Sequence, residues 1–163
     1  MYKSAVRFLI KRSIAKLNEG NYQPALNAFA KDGRLCFPGD NSWAREFRPI
    51  VRSRRQHITH SGTDEIEAFF AAYIKSNIKM EVEDILVNGP PWATRAAVRV
   101  NHWIADDHGV ETYTQRAVFM VNVKFGKVQL QEDYEDTERI AAHDASAQPA
   151  PYERSGKPSR GID

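Results

Sequence analysis

The sequence predicts an α+β domain in which three N-terminal helices lie on one face of a mostly antiparallel sheet. Two observations carry this. Apolar residues recur at helical spacing in the first half of the chain, and after Asn77 they follow strand-like runs joined by short turns. Helices segregated onto one face of such a sheet make a layered α+β architecture. A length of 163 residues, with 42% hydrophobic and 27% charged residues, suits one globular domain with a real core.

Val6, Leu9, Ile10, Ile14 and Leu17 form one stripe of a first helix, which Asn18 and Gly20 end. Pro24 suits the first turn of a second, shorter helix carrying Leu26 and Phe29, closed by Gly33. Arg34 to Phe37 is a short strand stopped by Pro38-Gly39. From Asp40 to His60 no periodicity is visible, and this stretch is expected to be a long functional or mobile loop. Thr63, Asp64 and Glu65 start a third helix whose face is Ile66, Phe69, Phe70, Tyr73 and Ile74. Four strands follow: Met80 to Val87, Arg95 to Ile104, Val110 to Phe125 and Val128 to Glu135, the last two joined by a tight turn at Gly126-Lys127. Thr137 to His143 reads as a closing helical turn. The expected domain is 1–143, and the Ala-, Pro-, Ser- and Gly-rich remainder, 144–163, reads as a disordered tail.

Composition excludes several classes. The single cysteine, Cys36, rules out an internal disulfide and a multi-thiolate metal site; it reads as core or strand filler and points to a reducing, cytoplasmic setting. No run is long enough to span a membrane, so no membrane partner is expected. A net charge of +2 gives no general case for nucleic acid. His57 and His60 are three apart but lack a third ligand pattern, so no metal is expected, and no Gly-rich phosphate cradle is present to imply a cofactor.

Side chains two apart on a strand share a face, so Arg99, Asn101 and Trp103 point one way and Val98, Val100 and Ile104 the other. The polar face is either an exposed or dimer surface or a pocket wall with Arg99 and Asn101 as convergent polar groups. Asp133 is either a catalytic carboxylate or one member of the solvated acidic run Glu132 to Glu138. Tyr22, Tyr73 and Tyr113 either bring hydroxyls to a pocket or belong to core and rim. Arg45, Arg48, Arg52, Arg54 and Arg55 either attract an anionic ligand to a pocket mouth or pair with acids.

Gly20-Asn21-Tyr22, the run Lys31 to Gly39, the helix Gly62 to Phe70 and the ending Gly126 to Asp136 together resemble SnoaL-like domains of the nuclear transport factor 2-like superfamily, over roughly residues 4 to 140. The resemblance implies a cone-like sheet around an apolar pocket and a homodimer through the open sheet face. Within that superfamily the limonene epoxide hydrolases look similar at Arg99-Val100-Asn101 and Asp133-Tyr134, which implies Asp133 as base with Arg99 beside it. Asn101 stands where those enzymes carry an acidic proton donor, which argues against epoxide opening. A lone base with donors aimed at an oxyanion suits proton transfer next to a carbonyl: isomerisation, cyclisation or dehydration. The expected site is therefore Asp133, Arg99 and Asn101, with Trp43, Tyr73, Trp92, Trp103 and Tyr113 around a small apolar ligand. The alternative is a non-catalytic ligand-binding or dimerisation module of the same fold.

Overall fold

The computed structural model describes residues 1–38, 58–106 and 108–147. Three helices precede or interrupt the first strands: α1 (Tyr2–Asn18), α2 (Gln23–Ala28) and α3 (Gly62–Lys75). Strands β1 (Phe29–Phe37) and β2 (Ile58–Ser61) flank the undescribed segment, and β3 (Ile78–Asn88), β4 (Thr94–Ala105), β5 (Glu111–Lys124) and β6 (Lys127–Glu135) follow α3. Helix α4 (Thr137–Ala147) closes the described chain. It extends four residues beyond the turn expected to end at His143; residues 148–163, most of the expected tail, lie outside the described residues.

All six strands form one sheet in the order β2-β1-β6-β5-β4-β3. Strands β3 to β6 make the expected antiparallel meander, whereas β1 joins β6 in parallel. Phe29 begins β1 instead of ending α2. The ladder with β6 is irregular between Phe29 and Arg34, and within that stretch a Cβ on Gly33 would lie 2.9 Å from the Ala30 carbonyl oxygen. The end of the expected loop is also a strand: β2 pairs antiparallel with β1, His60 opposite Leu35. Neither pairing has a local signal, because each is satisfied only by a distant segment.

Two devices fix the helices on the sheet. Asn18, at the end of α1, uses its side chain as a strand partner: Nδ2 donates to the Met80 carbonyl at 2.6 Å and Oδ1 accepts from the Met80 N–H at 2.9 Å. This covers part of the free edge of β3, which otherwise offers unpaired backbone groups. At the start of α3, the Glu65 carboxylate reaches back to accept from the Ser61 N–H at 2.6 Å. The core lies between helices and sheet, with Leu35, Ile66, Val98 and Val100 nearly inaccessible to solvent.

Candidate functional site

Alternation along β4 decides which face becomes the inside. Burying the row Val98, Val100, His102 removes apolar surface from water, whereas burying Arg99 without a partner would strand a charge. Val98 and Val100 are accordingly buried and Arg99 is exposed. This corrects the expected pocket wall: Arg99, Asn101 and Trp103 lie on the outer face. Arg99 Nε there donates to Glu83 Oε2 at 2.7 Å, and Arg116 Nη2 lies 3.5 Å from Glu83 Oε1.

The inner face and the helices enclose a cavity of about 1180 Å³. Its walls are largely apolar, from Val6, Ile10 and Leu17 of α1, Phe69 and Phe70 of α3, and Phe119 and Val121 of β5. At one region Tyr73, His102, Gln131, Asp133 and Glu135 line the cavity; further polar lining comes from Arg12, Ser13, Asn27, Ser76 and His143. Of the expected site residues, Asp133 and Tyr73 are brought here. Trp92 is exposed in the turn after β3, and Tyr113 is buried against His143 of α4 with ring centroids 4.7 Å apart; neither lines the cavity. Trp43, His57 and the arginine run lie outside the described residues. Tyr22 Oη donates to Glu67 Oε1 at 2.9 Å, which holds it as a surface group.

Asp133 is 6% exposed, and Gln131 Nε2 donates to its Oδ1 at 2.9 Å. Burial pushes its carboxyl well above the usual range; the neighbouring Glu135 adds to this and the Gln131 bond opposes it. His102 is 2% exposed, with Nδ1 3.4 Å from Gln115 Nε2 and 3.9 Å from Glu135 Oε1. Desolvation lowers its pKa to about 4, so the ring is neutral at ordinary pH. The Tyr73 ring stands edge-on to His102 at 6.4 Å, and burial together with Glu135 and Asp133 raises its hydroxyl well above 10.0. Among the described residues, Tyr73 Oη, His102 Nε2 and Gln115 Oε1 have no hydrogen-bond partner. Three such atoms around one imidazole are unusual in a buried region.

His102, Gln115 and Glu135 were not among the expected site residues. Their signal lay in the parity: a histidine in the Val98, Val100, Ile104 row and a glutamine in the Ala117, Phe119, Val121 row are polar interruptions of inner-face rows. No group of three or more His, Cys, Asp and Glu side chains among the described residues is arranged to hold a metal ion.

No protein-family model and no curated protein matches the sequence. Solved structures do match. A nuclear transport factor 2-like protein of unknown function from Burkholderia pseudomallei superposes with a TM-score of 0.64 at 16% identity, covering 84% of this chain and 95% of that one. The chain has the nuclear transport factor 2-like fold. Within this fold, a protein assigned as a SnoaL-like polyketide cyclase from Jannaschia sp. gives a TM-score of 0.62 at 15% identity, covering 90% and 94% of the two chains. Another, assigned as a ketosteroid isomerase from Kribbella flavida, gives 0.55 at 19%, covering 97% and 90%. At these identities the nuclear transport factor 2-like likeness establishes architecture and leaves the chemistry to the residues.

Proposed function

We propose that the protein is an acid-base enzyme of the isomerase, cyclase or dehydratase type, acting on an apolar carbonyl compound held in the cavity. The observation that carries this reading is the burial of Asp133 in the wall of a largely apolar cavity that His102 and Tyr73 also line. A carboxyl whose proton affinity is raised by burial is suited to take and return a proton during turnover. Tyr73 Oη is a buried donor for the oxygen on which charge develops, and neutral His102 supplies a second polar contact. Proton transfer of this kind uses protein groups alone and calls for no cofactor. The neighbours assigned as cyclase and isomerase lend the reaction class and no more.

The protein would also work as a homodimer through the outer sheet face, in a reducing cytoplasmic setting consistent with its one buried thiol.

The test is binding and turnover in the same experiment. Wild type and Asp133→Asn are melted against a panel of steroids, polyketide-like aromatics and other apolar ketones. A ligand at 100 times its dissociation constant stabilises the fold by about 2.7 kcal/mol. A hit that both proteins bind, and that only the wild type converts, supports the enzyme. Binding without conversion by either moves the assignment to a ligand-holding module.

A further inference from the structure

Around the mouth of the cavity, apolar side chains are turned outward where the fold gains nothing from them. Leu9 and Arg12 of α1 and Gly126 in the β5–β6 turn line the cavity while remaining exposed, which puts them at its opening. Beside these, Phe8 is 64% exposed, Leu9 51% and Phe125 68%. The charge around them has one sign. Helix α1 contains five lysines and arginines and no acidic residue. Lys11 and Arg12 are exposed on it, as is Lys124 at the end of β5.

Phe125 supplies an independent observation. The two-residue turn between Lys124 and Lys127 has positive φ at both central positions, 48° at Phe125 and 78° at Gly126. Such a turn favours Asn-Gly, and a bulky side chain in the left-handed region is strained. Phe125 therefore occupies a position that disfavours it and projects into solvent instead of the core. Strain kept at an exposed aromatic is a marker of function.

We infer that the mouth of the cavity docks on an anionic lipid surface, with Phe8, Leu9 and Phe125 entering the headgroup boundary and Lys11, Arg12 and Lys124 facing the phosphates. Exposed apolar residues interspersed with cations are the composition of an interfacial surface, and neither feature alone suffices for binding. The position of the patch makes sense of its chemistry. A ligand that fills an apolar chamber dissolves preferentially in a bilayer, and a mouth resting on the bilayer admits it without passage through water. The earlier expectation of no membrane partner came from the length of apolar runs, which bears on spanning a bilayer and not on resting against one. The inference uses the cavity as a ligand site but not its chemistry, so docking is read without any turnover assay.

The experiment is co-sedimentation of the full chain with vesicles of phosphatidylcholine alone and of phosphatidylcholine with phosphatidylserine, with melting temperatures of every variant measured in parallel. Wild type should bind the serine-containing vesicles only, and less as salt rises. Arg12→Glu should weaken binding by about fivefold or more. Phe125→Asn should weaken binding while raising the melting temperature, because it relieves the turn; Phe8→Ser, at an exposed helix position, provides a second apolar test. Absence of binding to either vesicle overturns the proposal. So does binding that Phe125→Asn and Phe8→Ser leave unchanged, which would make the patch a purely electrostatic site for an acidic protein or nucleic acid.

Discussion

Burial moves the proton affinities of Asp133 and His102 in opposite directions, because the form it disfavours is anionic in one and cationic in the other. The consequences for stability have opposite slopes. Folded His102 binds fewer protons than unfolded His102 between pH 6.5 and about 4, so it lowers stability as the pH falls through that window. The loss amounts to about 3 kcal/mol when complete. Folded Asp133 binds more protons than the unfolded chain at pH values above its ordinary 3.8, so its contribution declines as the pH rises from there. Asp133→Asn should therefore be more stable than wild type near neutral pH, with the gain vanishing below about pH 4. His102→Gln should abolish the acid-side loss and leave the alkaline-side one. Urea midpoints for the three proteins across this range check both. An Asp133→Asn protein less stable than wild type at neutral pH would show that the carboxylate is stabilised by the fold, against the role given to it. A residue retained at a cost in stability is what a proton-transfer group in an apolar chamber requires.

At the scale of elements, one turn and one edge contact are most exposed to mutation. Gly89 has φ of +91°, and a Cβ there would lie 2.2 Å from the Ala93 carbonyl oxygen. Gly89→Ala should cost about 2–4 kcal/mol, from backbone strain plus displacement of the β3–β4 turn. Asn18→Ala would leave the Met80 N–H and C=O without their side-chain partner and should cost about 1–3 kcal/mol. Thermal denaturation resolves both, and a neutral Asn18→Ala would mean that water replaces the amide at the sheet edge. The elements themselves were largely legible in the sequence, since a stripe such as Ile66, Phe69, Phe70, Tyr73 has one period and one meaning. The parallel contact of β1 with β6 was not, nor was β2, because neither is specified within its own segment. The candidate site was legible by halves. Asp133 and Tyr73, expected by residue type, line the cavity, whereas Arg99 and Asn101, expected on its wall, lie on the outer face. Polar character was read as the mark of a pocket wall, when the apolar members of β4 decide which side is buried. Applied consistently, that rule selects His102.

For the molecule as a whole, the decisive surface is the outer face of the sheet. Leu86, Ala97 and Met120 are cross-strand neighbours in one row, and Val118 lies opposite Tyr134 in the next. Leu86, Met120 and Tyr134 are exposed in the single chain. These rows also carry Glu132, Arg99 and Asp84, and a mixed sheet face of this kind is a candidate for a stable interface if it buries about 800 Å² per partner. A twofold arrangement would place the same row on both copies, so a residue near the axis meets its own equivalent. Met120, an exposed apolar member of this row on β5, is the position to charge. Met120→Lys would set like charges against each other across the axis at a cost of several kcal/mol, weakening the dimer by about a hundredfold or more. It should leave the monomer fold intact, because the side chain already stands in solvent. Sedimentation velocity of wild type and variant over a dilution series reads this directly. A wild-type dimer that Met120→Lys converts to a folded monomer supports the sheet interface. A wild-type monomer at all concentrations removes the homodimer, and a dimer indifferent to Met120→Lys moves the interface off this face.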